Sequence, residues 1–427
     1  MRSSCRMTLA VLLTGILIRP TQAQPLQYRV SLAEEGTHYT LNNSTPFNFN
    51  NSILPQPRWG NVATANIFLA SGVFSTSIGV TTTTDDLQSP QYNSAIHELA
   101  LDIPLGDTYD LLLGKKILKW GTGYAFNPTG VIEPQRSPSD PTDRLNQNDG
   151  RNLASLTAFV GKSSLTIVYL NDAEFAHSAL HWGDNEIALR AYTFLEGFDI
   201  TLVGHYREGQ RLEIGANSSY VIGENLELHG EILGKKGSSA LYHPIITSDD
   251  PDQFYGSYPY QPLFADSREI YSKILLGGQF TFDSGINLAL EYYHNGEGLN
   301  LQQWQRWMNF VRFQDAIQRG TIVVPPGLVT SSRINLLWSL LTLSPRGAMR
   351  DYLFARIAHT IDSWGGETLC FMNAEDRSLV IIPTITYKPI ASLSVYVRCA
   401  FYAGRDGSEF GSLFTANALT LGLGVQI

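Results

Sequence analysis

The residues that could do chemistry are histidines and carboxylates, and they form no recognisable metal-binding group. His177 and His181 are four positions apart, with Asp172, Glu174 and Asp184 close by in sequence. That spacing places two ligands side by side on a helix, but residues 171–184 are predicted to be a loop. We therefore predict no metal site.

The chain also lacks the short motifs of common hydrolases and nucleotide-binding proteins. Gly-x-Ser-x-Gly, a Walker loop and His-Glu-x-x-His are absent from the sequence. A barrel phospholipase would need a Ser-His pair with an orienting polar group. A barrel protease would need paired carboxylates and a histidine near the outer rim. We predict that the protein is not an enzyme, has no catalytic residues and needs no cofactor.

Most charged residues instead alternate with apolar ones. In the segment NEIALRAYTF, Ile187 and Leu189 alternate with Glu186 and Arg190. A period of two indicates a β-strand with one apolar and one wet face. A basic side chain facing lipid at the bilayer midplane costs roughly 2–4 kcal/mol, so the charged face is predicted to line the inside of a closed barrel. The candidate pore-lining residues are Glu186, Arg190, Asp199, His205, Arg207, Arg211, Glu213, Glu227, His229, Glu231, Lys235, Glu269, Lys273, Glu291, Arg333, Lys388 and Arg398.

The signs of these charges are mixed and nearly balanced, which leaves three interpretations open. The charges could form a salt-bridged network that fills the barrel. They could line a hydrated passage with a weak charge preference. They could also form a specific binding site.

The composition suits an exported membrane protein. The 427 residues are 43% hydrophobic and 16% charged, whereas soluble domains carry about 25% charged residues. Arg2 and Arg6 precede an apolar run at 7–18, and Ala23 follows, which predicts a cleaved signal peptide over residues 1–23. The net charge of -9 argues against nucleic-acid binding.

Strand lengths and connections predict one all-β domain over residues 24–427, a transmembrane antiparallel β-barrel. Predicted strands of about 9–13 residues match the tilted strands of membrane barrels. Short turns such as 71–72 and 283–285 alternate with long loops, as in barrels with short periplasmic turns and long extracellular loops. We count about 18 strands, and 16 would also fit.

The predicted strands lie near residues 26–33, 60–70, 73–84, 92–103, 108–118, 153–161, 163–170, 184–194, 197–207, 210–221, 225–235, 268–282, 285–295, 331–343, 349–361, 378–388, 391–402 and 414–427. The predicted long loops lie near residues 119–152, 171–184, 236–267, 296–330 and 362–377. The last strand alternates up to Ile427 and is predicted to close the barrel, leaving no open edge.

The segment LLLGKKILKWGTGYAFNPTG, residues 111–130, predicts the end of the fifth strand and the start of the loop 119–152. This loop is either an exposed cap with an aromatic girdle at the membrane surface or a segment that bends into the lumen and constricts it. The candidate constriction residues are Trp120, Tyr124, Phe126, Asn127, Arg136, Asp140, Asp143 and Arg144.

This segment resembles one in porin-like outer-membrane barrels of Gram-negative bacteria, in which a Gly-Lys-x4-Trp-Gly-x-Gly strand end precedes an aromatic-Asn-Pro loop. The matching residues are Gly114, Lys115, Trp120, Gly121, Gly123, Tyr124, Asn127 and Pro128. The similarity covers about forty residues. It implies an outer-membrane barrel that passes or exports something, without naming a cargo.

Residues 300–320 are predicted to form a helix within a long loop. Asn300 and Gln303 have capping-box spacing, Trp304 and Trp307 recur at helical spacing, and Gly320 ends the run. The helix could pack on the barrel mouth, form an aromatic lid over a ligand, or rest on the membrane surface.

The leading functional hypothesis is an outer-membrane channel for small or polar solutes, narrowed by loop 119–152. The alternative is a largely closed barrel that serves as a structural, export or assembly partner in an envelope system. Outer-membrane lipid is an expected partner and nucleic acid is not. The sequence leaves open a periplasmic or inner-membrane partner and does not give the oligomeric state.

Overall fold

The computed structural model describes residues 25–171, 174–176, 179–181, 183–208, 211–238, 240–255, 259–264, 269–343 and 347–427. The predicted signal peptide, residues 1–23, lies outside these ranges, as does His177. The side chain of His181 is not described either.

Eighteen antiparallel strands form one closed sheet. The sheet closes because the first and last strands pair, with Ser31 opposite Gln426 and Thr40 opposite Asn417. The predicted fold class and the predicted strand number are therefore confirmed. The strands are β1 (Gln27–Leu41), β2 (Trp59–Ser71), β3 (Phe74–Asp85), β4 (Gln91–Leu105), β5 (Tyr109–Lys116), β6 (Arg151–Val160), β7 (Ser163–Asn171), β8 (Asn185–Leu195), β9 (Phe198–Arg207), β10 (Arg211–Ile222), β11 (Leu226–Lys236), β12 (Ile270–Thr281), β13 (Asn287–Asn295), β14 (Asp351–Ile361), β15 (Trp364–Asn373), β16 (Leu379–Ile390), β17 (Leu393–Ala403) and β18 (Thr415–Gln426).

Alternate residues of each strand face outward and inward, as the period of two predicts. On β7, Leu165 and Ile167 are 44% and 49% exposed, whereas Val168 and Leu170, on the other face of the strand, are fully buried. Aromatic rings cluster on the outer face near the short turns, for example the stacked pair Phe198–Tyr220, whose centroids are 4.2 Å apart. Such rings favour the depth of the lipid headgroups.

Two helices, α1 (Leu301–Gln318) and α2 (Pro326–Thr342), lie in the long connection between β13 and β14. α1 begins with the predicted capping box, in which the Asn300 side chain accepts from the Gln303 N–H at 2.8 Å. None of the helices in the described residues is long and apolar enough to cross a bilayer. Short 3-10 helices occupy Phe49–Asn51, Pro244–Ile246, Pro251–Tyr255 and Phe410–Ser412, and small two-stranded hairpins join Glu174–Ala176 to Ala179–His181 and Leu241–Tyr242 to Leu263–Phe264.

Two predictions about the chain near α2 were wrong. One predicted strand is a helix and one predicted loop contains a strand, so the total number of strands is still 18. The segment 331–343 was predicted as a strand, but it forms the end of α2 and its C-cap; its buried residues Leu336 and Leu340 are one helical turn apart. Residues 362–377, predicted as a long loop, contain β15, whose alternation is hidden at its start by two glycines and Glu367. β1 also extends to Leu41, eight residues beyond its predicted end.

The largest hydrophobic cluster lies inside the long-loop end of the barrel. It joins inward residues of β13–β16, such as Tyr352 and Phe371, to Trp304 and Trp307 of α1 and to Phe47 of the β1–β2 loop. The mouth of the barrel is therefore packed with loop residues.

Candidate functional site: the barrel lumen

The connection between β5 and β6, residues 117–150, lies inside the barrel; we call it the inner loop. Its first anchor is the Glu231 carboxylate on β11. This carboxylate accepts from the N–H groups of Thr122, Gly123 and Thr129 at 2.6, 2.8 and 2.8 Å, and from the Thr129 hydroxyl at 2.6 Å. The carboxylate is 3% exposed. A predicted pore-lining residue is thus covered by the inner loop.

A second carboxylate, Glu291 on β13, holds the next part of the inner loop. It accepts from the Tyr124 N–H, from the Ala125 N–H at 2.9 Å, and contacts His229 Nε2 at 3.0 Å. On β10, the Asn217 amide donates to the Trp120 carbonyl at 2.9 Å. Three strands on one side of the wall, β10, β11 and β13, therefore fix residues 120–129.

The middle of the inner loop reaches the opposite wall. Arg144 pairs with Glu35 of β1 at 3.3 Å and with Asp140 at 3.1 Å. Arg398 of β17 donates to the Ser139 carbonyl. β1 and β11 are ten strands apart one way around the 18-stranded barrel and eight the other way. The inner loop therefore extends across the lumen.

The end of the inner loop returns along β2 and β4. Asn66 of β2 donates to the Leu145 carbonyl at 3.4 Å, and His97 of β4 contacts Asp149 at 2.8 Å. The inner loop thus contacts the wall on several sides before it enters β6.

The aromatic residues at the start of the inner loop are buried inside the barrel. Trp120 is 5% exposed and packs with Val168 and Leu170 of β7. Phe126 stacks on Tyr293 with centroids 4.3 Å apart. The prediction of an exposed cap with an aromatic girdle was therefore wrong, because the loop bends into the lumen; that it constricts the passage stays a prediction.

Gly123 explains why the inner loop can lie so close to the wall. A Cβ atom at this position would be 2.2 Å from Leu275 Cδ2 on β12 and 2.3 Å from the Phe126 carbonyl oxygen. Both distances are far below van der Waals contact, so only glycine fits here without movement of the loop or the wall.

Two other predicted constriction residues make hydrogen bonds within the inner loop. The Asn127 side chain donates to the Pro134 carbonyl and accepts from the Arg136 N–H, both at 3.0 Å. Asp143 has a positive φ of 50°, and its carboxylate accepts from the N–H groups of Gln147 and Asn148 at 2.9 and 2.8 Å. These contacts close turns, which is a structural role.

A chain of acidic and basic side chains follows the inner wall from β6 to β12. Its successive pairs are Arg151–Glu186 at 2.8 Å, Glu186–His205 at 2.8 Å, His205–Glu213 at 2.9 Å, Glu213–Lys235 at 3.6 Å, Lys235–Glu297 at 3.2 Å and Glu297–Lys273 at 2.7 Å. We call this the charge chain. Acidic and basic members alternate along it, so each of the three carboxylates lies between two basic side chains inside the barrel.

Other predicted pore-lining residues lie nearer the barrel ends or outside the charge chain. Arg207 pairs with Glu186 at 3.0 Å, and Glu227 accepts from the Gln279 amide at 2.6 Å. Arg190 lies over the Tyr192 ring at 5.1 Å, and the Tyr192 hydroxyl donates to Asp199. Glu269 and Lys388 are exposed at the ends of β12 and β16, and the Arg211 side chain lies outside the described residues.

Arg333 was predicted to line the pore because residues 331–343 were predicted to be a strand. That strand prediction was wrong, and Arg333 is not on a barrel strand. It lies on α2 and is exposed, and its guanidinium donates to the Ser52 carbonyl at 3.3 Å. Arg333 therefore joins α2 to the β1–β2 loop.

Several residues of the lumen were missed in the sequence. Glu297 lies two residues after the end of β13, in a loop rather than in an alternating segment. Glu35 and Tyr396 are joined by a hydrogen bond from the tyrosine hydroxyl. Glu35 was missed because the first strand was predicted to end at residue 33, whereas Tyr396 carries no charge.

A cavity of about 700 Å³ lies between the inner loop, the charge chain and the loops of the mouth. Glu213, Lys235, Lys273 and Glu297 supply charges of both signs to its lining, and Glu133 and Arg136 add one acidic and one basic side chain from the inner loop. Phe126, Tyr293 and Trp307 supply aromatic surface. The cavity can therefore accept a polar solute.

The helix α1 closes one side of this cavity. Trp304 and Trp307 are each 1% exposed, and Trp304 Nε1 donates to the Gly407 carbonyl at 2.8 Å. Phe47 contacts the Trp307 ring edge-on, with centroids 5.3 Å apart. The helix thus packs on the barrel mouth, as one of the three interpretations predicted. The interpretation that it rests on the membrane surface was wrong.

A buried carboxyl group fastens the loops of the mouth to one another. Glu409 accepts from the Tyr352 hydroxyl at 2.8 Å, from the Asn373 amide at 2.7 Å and from the Ala348 N–H. Burial raises the pKa of Glu409 to about 7. The connection before β14, the end of β15 and the connection before β18 meet at this group.

Comparison with known proteins relates the chain to others through its fold. No family sequence model matches the chain, and no curated protein matches it in sequence. Solved structures do match, among them Pseudomonas aeruginosa OccK11 (OpdR), with a TM-score of 0.52 and 11% identity over 94% of this chain and 96% of that one. Pseudomonas aeruginosa OccK3 (OpdO) matches with 0.52 and 9%, and Acinetobacter baumannii OccAB1 with 0.51 and 9%, each over 94% of this chain and 96% of its own.

These similar structures are outer-membrane porins, and the fold is theirs. The closed sheet and its apolar outer face are the two features that a barrel needs in order to span a membrane. The protein is therefore an outer-membrane β-barrel, and the predicted location is confirmed.

Proposed function

We propose that the protein is a channel that lets small polar solutes cross the outer membrane, and that the inner loop is its constriction. The observation that supports this most directly is the course of the inner loop, which is anchored to Glu231 on one wall and to Glu35 on the other. A segment held to two opposite walls of a barrel reduces the cross-section open to solutes. The cavity of about 700 Å³ beside it is large enough for a small solute with polar groups.

The charge chain suggests a weak preference between cations and anions. Arg136, Lys235 and Lys273 bring three basic side chains to the cavity, and Glu133, Glu213 and Glu297 bring three acidic ones. A lining with balanced signs creates little net field along the passage. We therefore expect solute size and hydrogen bonding, more than charge, to govern permeation.

A second candidate is a largely closed barrel that acts as a structural, export or assembly partner in the envelope. The packed mouth favours it, because α1 and the β1–β2 loop bury Trp307 and Phe47 against each other. In this case the periplasmic turns or the loops would bind another envelope component. The similar structures are porins, which gives no support to an enzymatic function.

Conductance in planar lipid bilayers distinguishes these candidates. A channel gives steady, ohmic current steps from the purified, folded wild-type protein. A closed barrel gives no current until residues 121–147 of the inner loop are replaced by a short Gly-Ser linker. A loop-deleted protein whose step size equals that of the wild type would contradict the proposed constriction, while leaving the channel itself in place.

A further inference from the structure

The outer face of β1 carries a carboxylate among lipid-facing residues. Glu35 points into the lumen, where it pairs with Arg144 at 3.3 Å, so its neighbour Glu34 points outward. Glu34 is exposed, and Leu32, on the same face of the strand, is 48% exposed.

Glu34 lies near the middle of the membrane-spanning wall. It is central in the 15 residues of β1, and it is opposite Leu423 of β18 and Ala63 of β2. Leu423 is 43% exposed on the same outer face. Lipid tails offer no hydrogen-bond donor, so a carboxylate at this depth needs a protein partner.

The Glu34 carboxylate and the side chain to which it is hydrogen-bonded can each make further hydrogen bonds. Asn61 of β2 donates one N–H to the Glu34 carboxylate at 2.9 Å. An amide nitrogen carries two hydrogens and a carboxylate has about four acceptor sites. The two head groups touch, so a donor and an acceptor lie at the same depth.

The residues around this pair allow another protein surface to approach closely. Gly36 is directly opposite Asn61, and Ala63 and Ala65 follow on the outward face of β2. Small residues let backbones approach one another within a membrane. We call Glu34, Gly36, Asn61, Ala63 and Ala65 the outer patch.

We propose that the outer patch is the interface between two copies of this chain. Both copies have the same orientation in the membrane, so a two-fold axis along the membrane normal brings together groups of equal depth. The Asn61 amide of each copy then donates to the Glu34 carboxylate of the other. The outer patch is suited to this because it contains both the donor and the acceptor, as a two-fold interface requires. The proposal is independent of what passes through the lumen.

Crosslinking in intact cells tests the proposal. A Gly36→Cys substitution has room, because the nearest atom to an added Cβ is Asn61 Nδ2 at 3.9 Å. In a chain whose Cys370 and Cys399 are replaced by serine, we expect a short bismaleimide to join Gly36→Cys chains into a species of twice the mass. The matched control is Leu189→Cys on β8, a residue that is 43% exposed on the far side of the barrel. It should give no such species.

A second variant tests whether the two-chain species depends on Glu34 and Asn61. Replacing Glu34 and Asn61 together by leucine should abolish the two-chain species, while the barrel keeps its heat-modifiable migration on gels and therefore its fold. Three results would overturn the proposal: only single chains from Gly36→Cys, a crosslink to a different protein identified by mass spectrometry, or a two-chain species that persists in the double leucine variant.

Discussion

The Glu231 carboxylate on β11 accepts both the backbone N–H and the hydroxyl of Thr129, at 2.8 and 2.6 Å. Thr129 belongs to the inner loop, so one wall residue satisfies two donors of a segment that has no strand partner there. A carboxylate accepts hydrogen bonds only, and the groups that face it here are donors.

Glu231→Gln should loosen the inner loop and enlarge the channel. The glutamine NH2 group would face N–H donors, so we expect the anchoring to weaken by about 1–3 kcal/mol. Single-channel conductance should rise, with more frequent fluctuations of the open level. Glu227→Gln is the control on the same strand, because Glu227 bonds Gln279 rather than the inner loop. Equal conductance in both variants and the wild type would contradict the anchoring role.

Trp304→Ala should open the packed mouth of the barrel. Trp304 is 1% exposed and bonds the Gly407 carbonyl, so its loss should cost about 3–5 kcal/mol of local stability. We expect faster hydrogen exchange of α1 amides and new protease sites in residues 300–343. Val323→Ala, at a residue that is 94% exposed between the two helices, should change neither. Unchanged exchange in Trp304→Ala would show that the mouth is held by other contacts.

The barrel was predictable because membrane strands carry a strong local signal. The alternation of Leu165 and Ile167 with their inward neighbours is visible in the sequence, and it survives because one face meets lipid and the other does not. The error at residues 331–343 has the same origin. An apolar run of this length is compatible with either a strand or a buried helix, and only the helical spacing of Leu336 and Leu340 identifies α2.

The lumen was harder to predict because its partners are distant in sequence. Glu231 and Thr129 are separated by 102 positions, and Glu35 and Tyr396 by 361. Alternation showed that Glu231 and Glu291 face inward. It did not show that they face the backbone of a loop. Almost every residue has a backbone N–H group, so the residue types of the loop do not reveal which N–H groups bind a carboxylate.

Acidification should stabilise the loop cluster around Glu409. Burial raises the pKa of Glu409 from 4.5 to about 7. A raised pKa means that the folded cluster binds the proton more tightly, so this contribution to stability is fully present below pH 4.5 and is lost as the pH rises through 7. Hydrogen exchange of residues 404–414 should therefore be faster at pH 8 than at pH 5, after correction for the intrinsic rate. Glu409→Gln should remove this difference, and a difference that persists would assign it to another group.

Neutralising single members of the charge chain should change the ion selectivity of the channel in opposite directions. Glu297 lies between Lys235 and Lys273 at 3.2 and 2.7 Å. Glu297→Gln removes one negative charge from a balanced lining, so the cavity becomes positive and the zero-current potential in a KCl gradient should move toward the chloride equilibrium potential. Lys273→Gln should move it toward the potassium equilibrium potential. The two shifts should shrink at high salt, because screening lengths fall to about 3 Å at 1 M. Shifts of the same sign in both variants would show that the charge chain does not face the path of the ions.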